Sequence, residues 1–406
     1  MDAHARSRVC RAHTLFVVPV GLLLAVIAAQ LALPVRAATR DDEVRALWVR
    51  RTSLDSSESI RKMVASAATA GFNTLFVQVR PDANARPQPE FDAISETLMQ
   101  AHAAGLRVHA WFDVAVAAPD ELPSARDHVI YLHPEWLMVP RAIAAELLAI
   151  DSHSPDYLGR LVRWTRTNST QAGGLYVSPL QPDAVAHLAE EVRDLVRRYA
   201  VDGVYLDHVQ YPGDEFDYSR RSVEAFRDFM RIQLLPAERQ HTDAIEAIDP
   251  FAYPNEFPDE WRLFRQSQLT ALVARLRSTV KAARPAALVS AAVTPDLAIA
   301  ARDRFQDWRT WLDNGFLDAL CPMAAGADAA LFAAQLAQVQ ALAGPRPVWA
   351  GIGANRLTQR ETLDSIVMAR RAGAQGVILF SYDSLISPPK GTEYLSAIGR
   401  GAFAGS

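Results

Sequence analysis

Hydrophobic and polar positions along the chain follow two periods, which alternate from Thr39 onward. Short apolar runs of period two are each followed by a longer stretch of helical period. The helical stretches include residues 57–70 and 93–104, and a glycine directly follows each of them. The apolar runs predict eight strands, at residues 45–50, 73–80, 107–113, 203–208, 288–293, 316–323, 347–352 and 376–382.

Eight β/α units in a row predict parallel strands with helical crossovers. An open, doubly wound sheet is the competing architecture, but no glycine-rich dinucleotide loop follows the first strand, which favours a (β/α)8 TIM barrel. The barrel is expected over residues 45–395, followed by a tail at residues 396–406. Long loops are expected after strands three and four, and loops of that size are usually functional.

Strand phase indicates which side chains face the barrel interior. On strand three the apolar alternate positions suit the helix-facing side, which turns Asp113 inward at the carboxyl end. Active sites of such barrels lie at the carboxyl ends of the strands. The inward residues expected to converge at this mouth are Arg50, Gln78, Arg80, Asp113 and Asp207.

The N-terminal 38 residues have the layout of a secretory signal. Arg6, Arg8 and Arg11 precede an apolar run from Leu15 to Leu33, and small residues follow. Removal of this segment gives an exported protein, periplasmic or secreted. The alternative is an uncleaved anchor, because the run is nearly long enough to span a bilayer. Membrane contact is expected only through this segment.

Composition narrows the class of partner. The chain has 406 residues, of which 50% are hydrophobic and 22% charged, and its formal net charge is -4. Such a chain can bury a large core, and no cluster of Lys and Arg outside the N-terminus indicates nucleic-acid binding. Without its N-terminal segment the chain keeps one cysteine, Cys321, so no intrachain disulfide is expected.

Carboxylates near strand ends are the strongest chemical signal. Glycoside hydrolysis needs one carboxyl group that protonates the leaving oxygen and another that attacks or activates water. Asp207, Asp113 and Glu215 are predicted to be catalytic, with Asp207 as the central carboxylate. Asp113 and Asp207 could raise each other's pKa if they face each other across the mouth. Asp383, at the end of strand eight, either binds substrate or braces a loop.

Aromatic residues near strand ends could stack on sugar rings, although core packing is the alternative for several of them. Arg50 and Arg80 could bind an anionic group of the substrate or keep Asp113 or Asp207 ionised. The predicted substrate-binding residues are Trp48, Arg50, Gln78, Arg80, His109, Trp111, Tyr205, His208, Tyr211, Trp349, Tyr382 and Asp383.

No cofactor or metal is expected. His109, His208 and Asp113 are candidate ligands, but neither His-x-His nor His-Glu-x-x-His occurs. A metal-dependent hydrolase is therefore kept only as a minor alternative.

Six segments, in order, resemble the glycosyl-hydrolase-like family 10 domain of bacterial envelope proteins. They are Arg45-Ala46-Leu47-Trp48-Val49, Gln78-Val79-Arg80-Pro81, His109-Ala110-Trp111-Phe112, His133-Pro134-Glu135-Trp136, residues 201–207 and Phe380-Ser381-Tyr382-Asp383-Ser384-Leu385. The resemblance implies a glycosidase-type barrel that acts on a cell-envelope polysaccharide, and some members resemble enzymes of peptidoglycan glycan strands.

The chain departs from the family pattern at the mouth. His208 stands where a second acid is usual, Asp113 where Asn is usual, and Cys321-Pro322-Met323 where a Pro-Gln and an aromatic pair are usual. Ser178-Pro179-Leu180-Gln181-Pro182 replaces an Asp-Pro-Gly-Asn-Pro-like stretch. Two hypotheses follow: a glycoside hydrolase, or a catalytically impaired barrel that binds glycan without cutting it.

Overall fold

A computed structural model describes residues 43–80, 91–118, 122–324 and 328–404. Eight parallel strands close into a barrel because the first strand pairs with both the second and the last. The predicted (β/α)8 barrel is therefore confirmed. Its strands are β1 (Val44–Val49), β2 (Thr74–Gln78), β3 (Arg107–Asp113), β6 (Gly203–Asp207), β7 (Leu288–Val293), β8 (Ala319–Ala324), β9 (Trp349–Ile352) and β10 (Gly376–Leu379).

The helices that surround and extend the barrel are α1 (Ser57–Thr69), α2 (Ala93–Ala103), α3 (Val129–Leu132), α4 (Arg141–Leu148), α5 (Pro155–Thr167), α6 (Ser169–Ala172), α7 (Pro182–Arg198), α8 (Arg220–Gln233), α9 (Pro236–Glu246), α10 (Ala252–Glu256), α11 (Pro258–Ala283), α12 (Leu297–Asp303), α13 (Trp308–Asp313), α14 (Ala329–Ala343), α15 (Gln359–Arg371), α16 (Tyr382–Ile386) and α17 (Thr392–Ile398). Short 3-10 helices lie at Arg51–Ser53, Pro134–Trp136 and Ala354–Arg356, and a π-helix lies at Gly399–Phe403.

Local sequence explains where the first helix begins and ends. Ser56 caps the start of α1, because its hydroxyl accepts a hydrogen bond from the Ser59 backbone N–H. Gly71 follows the helix with a φ of 78°, a left-handed conformation that glycine adopts without strain. The glycine expected to end the helix therefore does so.

Strand phase divides the apolar side chains between two cores. Alternate residues such as Val108, Ala110 and Phe112 pack outward against the helices. The intervening positions fill the barrel with a second cluster that includes Trp48, Phe76, Tyr205, Cys321 and Trp349. The inward and outward faces predicted for β3 are thus confirmed, and the barrel is filled by side chains beneath its mouth.

The long segment after β3 is structured and is tied to the loop after β6. It contains α3 to α6 and a two-stranded antiparallel sheet of β4 (Val116–Ala118) and β5 (Leu175–Tyr176). The Val139 carbonyl accepts hydrogen bonds from the backbone N–H groups of Asp217 and Tyr218, and the Arg141 N–H donates to the Glu215 carbonyl. We call these two segments, which run from β3 to α7 and from β6 to α8, the double loop.

The described chain stays in contact with the barrel beyond residue 395. The expected boundary falls inside α17, and Phe403 is buried in the outer core, where its ring meets that of Phe72 edge-on at 5.2 Å. The N-terminal segment predicted as a signal lies outside the described residues. Among the helices that are described, none is long and apolar enough to cross a membrane.

Candidate active site

Two aspartates and a histidine meet at the carboxyl ends of β3 and β6. The register pairs Asp113 with Asp207, and His208 follows directly. The Nδ1 atom of His208 lies 2.7 Å from Oδ1 of Asp113 and 3.9 Å from Oδ1 of Asp207. One polar atom from each residue falls within 4.8 Å of the other two. We call these three residues the mouth triad.

Asp113 and Asp207 do not face each other across the mouth, the arrangement in which the sequence suggested that each could raise the pKa of the other. β3 and β6 are neighbours in the closed barrel, so the two carboxylates stand side by side with His208 beside them. Their side chains are 15% and 14% exposed, whereas that of His208 is 41% exposed. His208 is therefore the member of the triad whose side chain is most accessible to solvent.

Burial and mutual charge set the protonation of the triad. Burial raises the pKa of Asp207; the charge of His208 opposes this rise and that of Asp113 adds to it. Burial lowers the pKa of His208, but the charge of Asp207 and the hydrogen bond and charge of Asp113 outweigh it and raise the pKa to about 9. The two neighbouring carboxyl groups thus favour the charged, protonated form of His208 near neutral pH.

The backbone of His208 adopts a strained conformation. Its φ is 47°, in the left-handed region that residues other than glycine seldom occupy. The His208 N–H donates to Oδ1 of Asp207 at 2.8 Å, so the same turn that strains the backbone also fixes the carboxylate. Strained residues of this kind cluster at functional sites.

An aromatic floor lies directly beneath the triad. Trp111 and Tyr205 are paired in register two positions before the aspartates, so their rings face the same interior. Trp48 stacks on Trp111 with ring centroids 5.6 Å apart and also contacts Tyr205 at 5.5 Å. Trp111 is half-buried, and its indole N–H makes no hydrogen bond of normal geometry. The N–H nevertheless lies close enough to Asp207 to oppose the rise in the pKa of that carboxyl. Trp111 therefore joins the floor to the triad.

Four residues predicted for the mouth lie elsewhere. Tyr211 is entirely buried in the outer core against Phe305, and Tyr382 packs in that same outer core. Trp349 is the first residue of β9, so the prediction that it lies near a carboxyl end is wrong. His109 is buried beside Trp349, and burial lowers its pKa to about 4. Core packing explains all four positions.

Gly203 creates the space that His109 occupies. A Cβ atom at this position would lie 2.5 Å from Nδ1 of His109 and 2.9 Å from the Leu288 carbonyl oxygen. No side chain fits between these atoms, so the close approach itself requires glycine.

The predicted polar side chains mostly hold loops. Gln78 is buried, and its Oε1 accepts a hydrogen bond from the Arg51 N–H at 3.1 Å. Arg80 leans outward: it donates to the Asp113 carbonyl, forms an ion pair with Glu191 of α7 and lies over the Phe112 ring. The prediction that Arg80 points into the mouth is therefore wrong, and the carboxylate that pairs with it is that of Glu191 rather than one of the triad.

The two remaining predicted acids do not join the triad. The Asp383 carboxylate accepts hydrogen bonds from the Arg50 N–H and from the hydroxyls of Thr52 and Ser53, which fits the expected role of a loop brace. Arg50 itself is exposed at this edge. Glu215 is exposed in the double loop and is absent from the group that surrounds Asp207.

Two mouth residues were not among the predicted substrate-binding residues. Phe380 packs on Trp48, and Met323 receives the Tyr205 hydroxyl at 3.8 Å. Both belong to the cluster that fills the barrel interior. Met323 lies near the end of β8, and Phe380 directly follows β10. Both continue the series of alternate, inward-facing positions of their strands, and this alternation could have identified them from the sequence.

The triad atoms are close enough together to hold a cation. Imidazole and carboxylate ligands suit zinc and similar ions. The hydrogen bond between His208 and Asp113 uses the same atoms, so a proton and a metal ion would compete for this place.

Fold and site together define a barrel of the glycosidase type. The sequence matches the family described as glycosyl hydrolase-like 10 over residues 43–345. This match covers most of the chain, and the chain therefore belongs to that family. The resemblance found in the sequence is confirmed, and so is the assignment of the chain to a family of glycosidases.

Curated relatives carry the same description at low identity. "Glycosyl hydrolase YngK" of Bacillus subtilis is 20% identical over 338 residues, which cover 70% of this chain and 54% of that protein. "Glycosyl hydrolase DigH" of Escherichia coli is 22% identical over 288 residues, which cover 62% of this chain and 54% of that protein. The chain thus spans about half the length of the curated relatives it matches.

Solved structures share the fold. The glycoside hydrolase domain of PgaB (BpsB) from Bordetella bronchiseptica has a TM-score of 0.57 at 15% identity, with 88% of this chain and 98% of that chain covered. The catalytic domain of a β-amylase from Paenibacillus polymyxa has a TM-score of 0.59 at 12% identity, with 90% and 100% covered. At these identities the likeness supports the barrel fold alone.

Proposed function

We propose that this chain hydrolyses glycosidic bonds in a cell-envelope polysaccharide, with peptidoglycan glycan strands as its candidate substrate. The mouth triad is the observation that carries the proposal, because it combines a carboxyl of raised pKa, a second carboxylate and a cation above an aromatic floor. The N-terminal signal pattern supports an exported enzyme that would meet such a substrate.

Each triad residue has a role in the proposed reaction. Asp207 donates its proton to the leaving oxygen, while Asp113 attacks the anomeric carbon and the glycosidic bond breaks. Water then attacks that carbon, gives a proton to Asp207 and releases the Asp113 carboxylate. His208 keeps its own proton and stabilises Asp113 in the ionised form through the 2.7 Å contact.

The spacing of the carboxylates supports retention of configuration. An oxygen of Asp113 lies within 4.8 Å of an oxygen of Asp207. Retaining enzymes separate their carboxyl groups by roughly 5 Å, and inverting enzymes by roughly 6.5–9.5 Å to admit a water molecule. A separation of at most 4.8 Å between these two oxygens fits the retaining arrangement.

The decisive experiment is Asp207→Asn. Purified wild type and variant are incubated with peptidoglycan from which the stem peptides have been removed, and new reducing ends are identified by mass spectrometry. We expect at least a ~100-fold loss of turnover with an unchanged unfolding temperature. Asp364→Asn, on the exposed face of α15, is the matched control and should cleave like wild type. Unchanged turnover in Asp207→Asn would exclude this residue from the mechanism.

A glycan-binding barrel is the second candidate. It is favoured by one observation: His208 stands after Asp207 where a second acid is usual in the family, and its Nδ1 atom lies 2.7 Å from the Asp113 carboxylate. Tight binding of glycan strands by the wild type without any new reducing ends would support this candidate. A third outcome concerns a cation, since activity that EDTA abolishes and zinc restores would assign the triad to metal-dependent hydrolysis.

A further inference from the structure

The indole N–H of Trp111 makes no hydrogen bond of normal geometry, although its nitrogen is closed off from solvent. An unpaired buried donor is costly, and native proteins leave few of them. Because neither water nor a substrate reaches this nitrogen, only a neighbouring atom of the protein can accept its hydrogen bond. The floor of the mouth thus contains a donor whose acceptor must come from the chain itself.

Asp207 is the neighbour that offers such an acceptor. Trp111 pairs in register with Tyr205, and Asp207 lies two residues further along β6. The side chains of all three residues therefore point to the barrel interior, with Trp111 and Asp207 as diagonal neighbours. Residues in this relation lie within the reach of an aromatic side chain. The effect of the indole N–H on the Asp207 pKa agrees with this placement.

One oxygen of the Asp207 carboxyl is free to accept the bond. Oδ1 receives the His208 backbone N–H at 2.8 Å. Within the described ranges, no group donates to Oδ2 with normal geometry. The Tyr205 hydroxyl, another donor of the floor, is directed to the sulfur of Met323. Oδ2 is therefore the oxygen that can carry the acid proton and, after that proton has left, accept from Trp111.

Neighbouring groups hold the Trp111 ring in one place. Its backbone carbonyl accepts a hydrogen bond from the Val79 N–H at 3.1 Å. Trp48 stacks on the ring and itself packs against Phe380. A donor on a ring held in this way is preorganised, so it can restrain a carboxylate without a large ordering cost.

We propose that Trp111 is a positioning residue for the Asp207 acid, an inference that rests on the proposed function. While Asp207 is protonated, the indole N–H remains unpaired beside the carboxyl. When the proton passes to the leaving oxygen, the carboxylate accepts a hydrogen bond from the N–H, which keeps its own proton. Water later returns a proton to Asp207. Trp111 thereby stabilises the ionised acid between the two half-reactions and keeps it directed toward the sugar.

Other ionisable side chains also surround Asp207, namely those of Asp113, His208, Tyr176, Tyr205 and Cys321. Burial raises the pKa of the two phenols and of the thiol, so these three groups stay neutral near neutral pH. The aspartate and the histidine bond to each other, and neither bonds to the indole. Loss of the indole N–H alone therefore leaves their contact intact.

A spectroscopic test observes the N–H directly and needs no substrate. The full chain is labelled with ¹⁵N-tryptophan, and the Trp111 signal is the indole signal that is missing in Trp111→Phe. As the pH rises from about 4 to about 8, this signal should move downfield in the wild type, because Asp207 ionises and accepts the bond. In Asp207→Asn it should remain nearly constant. A Trp111 signal that behaves alike in the two chains would overturn the proposal.

Trp261 is the internal control in the same spectra. Its indole N–H is also buried and unpaired, but the residue lies in the separate cluster around Phe226. The Trp261 signal should therefore follow the same course with pH in the wild type and in Asp207→Asn.

Kinetics separate positioning from stacking. Replacement of Trp111 by β-(3-benzothienyl)alanine keeps a fused ring of nearly the same size in the floor and removes only the N–H donor. We expect kcat on denuded glycan strands to fall about tenfold with KM unchanged, because the buried nitrogen does not touch the substrate. The decline of kcat/KM with rising pH should move to higher pH, since the ionised acid has lost a donor.

Trp261→Phe is the matched variant for this measurement and should react like the wild type, because it loses a buried, unpaired indole N–H away from the mouth. The benzothienyl chain with the kcat and the pH profile of the wild type would contradict the role of Trp111, even if Trp111→Phe, which also changes the stack, were impaired.

The two proposals can fail separately. A Trp111 signal that depends on Asp207, in a wild type that produces no reducing ends, supports the contact and overturns hydrolysis. Hydrolysis that is lost in Asp207→Asn and unchanged in the benzothienyl chain overturns the role of Trp111 alone.

Discussion

Asp207 and Asp217 belong to the same stretch of chain, and burial raises the pKa of both. Asp207 keeps 14% of its side chain exposed and has ionisable neighbours in Asp113 and His208. Asp217 is completely buried and accepts hydrogen bonds from the hydroxyls of Ser178, Ser219 and Ser222. The first carboxyl can exchange its proton with a substrate, and the second cannot.

The difference shows that a raised pKa alone does not identify a catalytic acid. Burial raises the pKa of Asp217 to about 6, although three hydroxyls and the charge of Arg265 oppose the rise. Its φ of 75° is also strained. Access and the type of neighbour, rather than strain or pKa, therefore separate the carboxyl proposed as the acid from the structural one.

The largest effect is expected when the structural carboxyl is removed. Asp217→Ala leaves three buried hydroxyls without their acceptor, and it removes a carboxylate whose charge acts on the buried Arg265. We expect the free energy of unfolding to fall by about 3–4 kcal/mol. Denaturant unfolding measures this change, and a loss below about 1 kcal/mol would contradict the structural role.

A second variant of the same residue tests its protonation. A carboxyl whose pKa rises from 3.8 to about 6 on folding stabilises the fold when protonated. Its contribution is present below pH 4 and is lost as the pH rises through 6, by roughly 3 kcal/mol. Asp217→Asn tolerates the same φ and should lack this dependence. Unfolding free energies from pH 4 to 7 compare the two chains, and parallel curves would place the native pKa near 4.

At the mouth we expect an effect on catalysis and little on stability. His208→Asn also tolerates a positive φ but removes the imidazolium. Wild-type kcat/KM should fall as the pH rises through the pKa of Asp207, which must be protonated to act as the acid. The variant should lose about tenfold in kcat/KM at neutral pH, and its decline should lie at higher pH, because the charge of His208 lowers the pKa of Asp207 in the wild type. Identical pH profiles would remove His208 from a positioning role.

The smallest effect concerns the brace beside the mouth. Asp383→Ala removes three hydrogen bonds that hold the loop after β1. Since this edge is largely exposed, we expect a loss of about 1 kcal/mol in the free energy of unfolding. Denaturant unfolding, with Asp364→Asn as the control for a lost surface charge, checks the value. A larger fall in kcat/KM than in stability would instead indicate contact with substrate.

Sequence periodicity predicted the barrel and the inward direction of Asp113 and Asp207, because the alternation of side chains in a strand is local and regular. It placed Trp349 at the wrong end of its strand, because the point where a strand begins depends on tertiary pairing. The strands Val116–Ala118 and Leu175–Tyr176 were missed because two or three residues carry no period.

Sequence analysis also failed to predict contacts between residues that are distant in the sequence. Nothing local indicates that Arg80 pairs with Glu191, or that the Ser178 hydroxyl meets Asp217. Tyr211 follows β6 closely, yet its loop turns it into the outer core. The two aspartates of the mouth were therefore visible in the sequence, whereas the assignment of individual loop residues to the mouth required the folded chain.

The double loop has a consequence for protein engineering. Because the Val139 carbonyl, the Arg141 N–H and the Ser178 hydroxyl all bond to residues 215–218, the two segments are complementary halves of one module. Exchanging one half between relatives would leave the other without its partners. A chimaera that is to inherit a new glycan preference should therefore receive both halves together.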